Sequence, residues 1–210
     1  NLPIILSTGT ANNEEIEEVI RNYKRYTRGS ANGKITINPI TMQREHLPKI
    51  RENYAVTYKA DGSSYLLFVN NISKKSKGRT SSRSSGINRY SVDGCVYLIH
   101  EKSLTIIKTG VVIMDWASTL IEGEYIESDS KLLCYDTLFS KGKDVRKDFL
   151  PKRDKIFDTF AKEYTTEVKR LGLTNRVPIV VRKDYIYSSG EEMYSGSQHL
   201  WEIRESKTYH

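Results

Sequence analysis

The chain has 210 residues, with 33 Lys and Arg against 26 Asp and Glu, a formal net charge of +7 and a pI near 9.2. At 38% hydrophobic and 28% charged residues, it reads as one large or two small soluble globular domains, and its clustered positive charge suits nucleic acid or nucleotide phosphates. Two cysteines, Cys95 and Cys134, offer neither a disulfide framework nor metal spacing. No apolar run approaches a membrane span and no signal peptide opens the chain, so it is read as intracellular, not secreted and without a membrane partner.

Asn12-Asn13-Glu14-Glu15 opens a helix, with an Asn cap and acids where the macrodipole favours them. Ile16, Val19, Ile20 and Tyr23 recur at helical spacing, and Arg21, Lys24, Arg25 and Arg28 load the far end. An ordinary packing helix is expected from about Glu14 to Thr27. Ile35 to Ile40 reads as a short strand. Thr41 to Arg51 reads as a helical turn that carries His46, a surface histidine.

Tyr54 to Tyr58 and Tyr65 to Val69 read as two strands, rich in β-branched, aromatic and apolar residues. Asp61-Gly62 between them predicts a hairpin, with Gly62 supplying a positive φ. Lys59 beside this turn is either a solvated lysine or a nucleophile. At its ordinary pKa of about 10.4 a lysine is protonated near neutrality, so a nucleophilic role requires partial burial and positive surroundings.

From Asn70 to Arg89 the chain is polar and of low complexity, with six Lys and Arg and no acid. Such a segment cannot bury apolar surface, so residues 70–89 are expected to form a mobile basic loop. It is either a solvated insertion or an arm for nucleic-acid phosphates built from Lys74, Lys75, Lys77, Arg79 and Arg83.

Tyr90 to Ile99, Ser103 to Ile107 and Val111 to Met114 are expected strands of a meander, followed by a turn at Asp115-Trp116. In Leu120 to Ile126, alternation puts Glu122 and Glu124 on one face with Gly123 between them on the other. The pair is either two wet-face glutamates or a site for a divalent cation or a ribose hydroxyl. In Leu132 to Phe139, Asp136 falls in phase with Leu132, Cys134 and Leu138, an unexpected place for a carboxylate unless it is paired or capping. After a polar connector, Leu150 opens a helix whose stripe of Ile156, Phe157, Phe160, Tyr164, Val168 and Leu171 is core, and Gly172 stops it. Val177 to Val181 and Tyr185 to Tyr187 read as strands. The remainder, through Trp201 and Ile203 to His210, is a helix or strand.

Three of these stretches together resemble the covalent nucleotidyltransferases, the mRNA capping guanylyltransferases and polynucleotide ligases. Lys59-Ala-Asp-Gly62 is similar to motif I. Ile121-Glu-Gly-Glu124 is similar to motif III. Tyr135-Asp-Thr-Leu-Phe139, with Gly142-Lys-Asp-Val-Arg146 and Leu150 to Arg153, is similar to motif IIIa. The resemblance covers roughly Pro39 to Phe160. Pro39-Ile-Thr-Met and Gly142 to Arg146 pull it towards the capping guanylyltransferases, particularly those of large DNA viruses.

The resemblance implies an α+β fold of the DNA-ligase type, a core of antiparallel sheets with packing helices. It implies a lysyl-GMP intermediate on Lys59, formed from GTP with Mg²⁺ or Mn²⁺, and GMP transfer to the diphosphate 5′ end of a nascent RNA. Asp61, Gly62, Glu122, Glu124 and Tyr135 would bind the nucleotide, with Asp61 positioning the lysine region, Glu124 also a metal ligand and Tyr135 stacked on the base. Fused or associated triphosphatase and methyltransferase activities are the implied partners. The implied compartment is the cytoplasm for a virus, at its replication site, and the nucleus otherwise. The alternatives are an ATP-dependent ligase adenylation domain and a non-catalytic RNA-binding remnant of the fold.

The chain departs from the pattern at Ser64, where the family usually has an Arg that holds the ribose; Arg79, Arg83 and Arg89 are candidate substitutes. No acid-Gly pair of motif IV follows Glu124, and the Lys-x-Lys of motif V and an OB domain are missing. The expectation is therefore that residues 1–210 are a partial nucleotidyltransferase domain that stops short of motif IV.

Overall fold

The computed structural model describes residues 4–6, 13–27, 41, 43–49, 54–71, 93–184 and 186–188. In chain order the first elements are β1 (Ile4–Leu6), α1 (Asn13–Thr27), β2 (Tyr54–Val56), β3 (Ser63–Val69), β4 (Cys95–His100) and β5 (Ile106–Val112). There follow β6 (Thr119–Ile126), β7 (Lys131–Ser140), β8 (Lys143–Asp144), α2 (Leu150–Arg170), β9 (Ile179–Arg182) and β10 (Ile186–Ser188). The chain divides into two compact units, one of Asn1–Thr36 with Gly62–Arg182, the other of Ile37–Asp61 with Lys183–His210.

The first unit is α+β. Its sheet runs β1-β5-β4-β3-β6-β7-β8 with antiparallel neighbours, and β9 lies parallel beside β7. Leu66 to Val69 and Cys95 to Ile99 are apolar without alternation because helices cover both faces of the sheet. On one face α1 sets Ile16, Val19 and Tyr23 against Leu66, Phe68, Tyr97 and Leu120. On the other α2 sets Phe157, Phe160, Tyr164 and Val168 against Leu67, Leu98, Ile121 and Leu132. Phe160 meets Trp116 edge to face at 5.3 Å. Gly172, at φ +66°, ends α2 as expected.

Beneath α1 lies a buried polar cluster. Glu15, 1% exposed, accepts a hydrogen bond from Tyr97 Oη at 2.7 Å and pairs with Lys108 Nζ at 2.6 Å. Asn22 Nδ2 donates to Asn70 Oδ1 at 2.9 Å. The helix is thus held by ions and amides as well as by its apolar stripe.

Two local expectations are corrected. No hairpin forms at Asp61-Gly62: β2 ends at Val56 and pairs with β10, while β3 pairs with β4 and β6. Gly62 has no positive φ. Long apolar strands take both edges of β3, because a strand buried on both faces gains most beside others like it. The strands expected at Ser103 to Ile107 and Val111 to Met114 are one strand, β5, which passes through Gly110 at φ +79°. A register shift between Cys95 and Tyr97 on β4 accommodates the irregularity.

In the second unit Tyr54, Ala55 and Val56 pair antiparallel with Ser188, Tyr187 and Ile186. Thr57 Oγ1 donates to the Asp184 carbonyl at 2.6 Å. Buried Lys183 holds Nζ 5.0 Å from the centre of the Tyr58 ring. A 3₁₀ turn spans Arg44–Lys49, where a helical turn was expected. The strand at Ile35 to Ile40, the basic segment from residue 72 on, and the chain beyond residue 188 lie outside the described residues. Among the described residues no helix is long and apolar enough to cross a membrane.

Candidate functional site

The site in the first unit is built on β6 and its two neighbours. Ser64 opposes Glu124 and Leu66 opposes Glu122 across the β3–β6 ladder, which runs without irregularity. Glu122 and Glu124 therefore share one face, as alternation predicts. Leu120, two residues before Glu122, belongs to the core under α1, so the carboxylates continue that face past the end of the apolar cluster.

Gly62 closes this end. Its amide donates to Glu124 Oε1 at 3.0 Å. A Cβ at Gly62 would lie 2.6 Å from the Tyr125 carbonyl oxygen, 2.7 Å from Ile126 Cδ1 and 2.8 Å from Glu124 Cγ. Glycine is thus required here for close approach and not for a turn conformation. Gly123 is less tightly confined, with a Cβ position 3.0 Å from the Leu133 carbonyl oxygen.

On β7 a bulge changes the sequence-level phase. Glu122 opposes Asp136 and Gly123 opposes Cys134, so Tyr135 has no opposite residue. Its phenol donates to Glu122 Oε1 at 2.9 Å, and Ser64 also hydrogen-bonds the phenol. Ser64, standing where the family's Arg is usual, is thus a partner of the Tyr135 hydroxyl. Burial pushes the Glu122 carboxyl up to about 7; the Tyr135 hydrogen bond opposes the rise, and the nearby charges of Glu101 and Asp136 add to it. Burial and the Glu122 carboxylate raise the Tyr135 phenol, which stays protonated at neutral pH.

Asp136 has the partner its position demands. Arg153, in the first turn of α2, donates Nε to Oδ1 at 2.6 Å and Nη2 to Oδ2 at 3.1 Å. Arg153 also donates Nη1 to the Asp148 carbonyl and, at 3.5 Å, to the Arg146 carbonyl. Burial nevertheless leaves the Asp136 pKa above its ordinary value, against the pull of Arg153. The fork of Arg153 fastens β7, the connector and α2 together beside Tyr135. A sequence signal for this pair existed in a carboxylate in apolar phase on a strand, followed by an Arg at the start of the next helix. Glu101, which acts on Glu122 from the β4–β5 turn, had no such signal.

In the second unit Lys59 lies on extended chain after β2, with its side chain 87% exposed and Nζ 3.6 Å from Asp61 Oδ1. Ala60 between them is buried, so the two charged side chains alternate outward around a fixed residue. The expected partial burial of Lys59 is not present in this unit. Lys74, Lys75, Lys77, Arg79 and Arg83 lie outside the described residues.

Among the described residues no group of three or more His, Cys, Asp or Glu side chains is arranged to hold a metal. Mg²⁺, however, is commonly held by one or two carboxylates together with substrate phosphates. Glu122 and Glu124 supply hard oxygen donors from one face, which suits a cation delivered with a nucleotide. The family described as mRNA capping enzyme, catalytic domain, matches residues 10–203. No curated protein matches the chain.

Proposed function

The chain belongs to the mRNA capping enzyme catalytic-domain family, and from that membership we propose that it transfers GMP from GTP, through a lysyl-GMP intermediate on Lys59, to the 5′-diphosphate end of RNA. In the first step Lys59 Nζ attacks the α-phosphorus. The ammonium first gives up one proton to become the nucleophilic amine; the N–P bond forms, the bond to the bridging α–β oxygen breaks, pyrophosphate leaves, and the nitrogen sheds a second proton to solvent, keeping one N–H in the phosphoramidate. In the second step the terminal oxygen of the RNA diphosphate attacks the same phosphorus, and the lysine departs. A divalent cation, Mg²⁺ or Mn²⁺, would neutralise triphosphate charge, with Glu124 and Glu122 as its protein ligands.

The observation that carries the proposal is the hydrogen bond from Gly62 N to Glu124. It ties the end of the Lys59-Ala-Asp-Gly62 string to the acid of Glu122-Gly-Glu124. Glu124 is thereby oriented, and Glu122 is oriented by Tyr135. The Tyr135 ring is the proposed base platform, since every base has a π-face to stack. Asp61, 3.6 Å from Lys59 Nζ, is proposed to position the lysine. The residues beyond 71 are proposed to contribute RNA contacts through Lys74, Lys75, Lys77, Arg79 and Arg83.

A second reading, a non-catalytic RNA-binding domain, is favoured by Ser64 in place of Arg. The test is incubation with α-labelled GTP or ATP and Mg²⁺ or Mn²⁺, using wild type and Lys59→Ala, followed by denaturing electrophoresis. Acid-labile label from GTP only, lost in Lys59→Ala, is the expected result. Label from ATP only would assign a ligase adenylation domain. No label from either nucleotide would leave the binding domain.

A further inference from the structure

We propose that the β7–β8 hairpin, the connector after it and the first turns of α2 form a docking ridge for the backbone of single-stranded RNA, with Phe149 as its stacking residue. The proposal rests on the capping reading only in naming RNA as the occupant.

From Lys141 to Lys155 the chain carries seven basic and three acidic residues. Each acid is already engaged: Asp144 with Arg146 at 2.6 Å, Asp148 with Lys152 at 3.1 Å, and Asp154 with Arg182 at 3.4 Å. Arg153 is spent on Asp136. Lys141, Lys143, Lys147 and Lys155 are all exposed and form no ion pair with a described carboxylate. Four cations on one short, folded segment are an electrostatic footprint for a polyanion.

The segment is also rigid. Lys141 and Gly142, at φ +51° and +83°, make a two-residue turn of left-handed backbone. Lys141 Nζ sits 4.5 Å over the Trp116 ring, and the Trp116 indole donates to Glu163 Oε2 at 2.7 Å. Arg146 lies over Phe139 at 5.1 Å. Cations held in this way lose little freedom on meeting phosphate.

Phe149 stands among them and is 84% exposed, more than the other large hydrophobic side chains described. It directly precedes α2, so its backbone is fixed while its ring is open to solvent. An open aromatic ring flanked by lysines is the pattern of a single-strand platform, in which bases stack and phosphates meet cations. A duplex offers no free base face to such a ring, and an acidic peptide has no use for it as a stacking platform. Arg153 joins the ridge to the site, since its carboxylate partner Asp136 is the chain neighbour of Tyr135.

The test is fluorescence anisotropy of the full chain with a labelled 5′-diphosphate RNA of mixed sequence, without nucleotide, across a salt series. The triple variant Lys143→Ala, Lys147→Ala, Lys155→Ala is expected to bind about tenfold more weakly, with the slope of log affinity against log salt reduced by about 2, at roughly 0.7 per lost phosphate contact. Phe149→Ala is expected to weaken binding about tenfold with an unchanged slope. Both variants should melt like wild type, and Phe149→Tyr should restore affinity. Unchanged RNA affinity and slope in the triple variant would overturn the ridge. Intact RNA binding with lost binding of a polyglutamate peptide would also overturn it and give the surface to an acidic protein. No nucleotide is present, so a chain that fails to label at Lys59 still tests the ridge on its own.

Discussion

Tyr135 Oη lies 2.9 Å from Glu122 Oε1, a contact made possible by a bulge that removes Tyr135 from the β6–β7 register. Burial raises the Glu122 carboxyl from the ordinary 4.5 to about 7, and the phenol only partly offsets this. Below 4.5 the group is protonated in the folded and the unfolded chain alike. Between 4.5 and 7 the folded chain keeps a proton that the unfolded chain has lost, so stability falls as pH rises through this window. Glu122→Gln stays neutral and is expected to gain on wild type by on the order of 1–3 kcal/mol between pH 4.5 and 8. Urea unfolding at both pH values measures this, and a difference that does not change with pH would refute it.

Gly62→Ala separates close approach from turn conformation. The added Cβ would meet the Tyr125 carbonyl oxygen at 2.6 Å, a backbone atom that cannot rotate away. The expected loss is about 1–3 kcal/mol, together with loss of the 3.0 Å bond to Glu124 and a strong fall in nucleotide labelling. Gly142→Ala meets only Ser118 Cβ at 3.7 Å, but its φ of +83° should cost about 1 kcal/mol. Labelling should survive that change. If both variants label and melt alike, the steric role of Gly62 is wrong.

Arg153→Ala leaves the buried Asp136 carboxylate without the fork that holds it at 2.6 Å and 3.1 Å. Removing one partner of such a pair costs about 3–5 kcal/mol when fully buried, and both groups here keep some exposure, so about 3 kcal/mol is expected. The loss should shrink in acid, because protonating Asp136 removes the uncompensated charge. Guanidinium unfolding at pH 4 and pH 7.5 tests this; an equal loss at both would show that the cost is packing alone.

Lys108→Met strips Glu15 of its 2.6 Å ion pair while the carboxylate stays under α1. A loss of about 3 kcal/mol is expected, accompanied by faster amide exchange along Asn13–Thr27. The double variant Glu15→Met, Lys108→Met should recover most of it, since apolar side chains of similar volume can replace a buried pair. Additive losses in the double variant would mean that the two residues act separately.

Local order was written in the sequence. The 3.6-residue spacing of Ile16, Val19 and Tyr23, and of Phe157, Phe160, Tyr164 and Val168, specified both helices and the faces they bury. Alternation put Glu122 and Glu124 on one face, and Asp136 in apolar phase called for pairing or a capping role. The motif strings identified the family. Tertiary structure alone decided what depends on distant surfaces: that β2 pairs with β10 and not with β3, that Tyr135 is bulged onto Glu122, and that Gly62 is needed for space. The physical reason is range. Side-chain period and cap chemistry act within a few residues, whereas strand partner and register are set by which apolar faces can be buried together, a choice made by the whole chain at once.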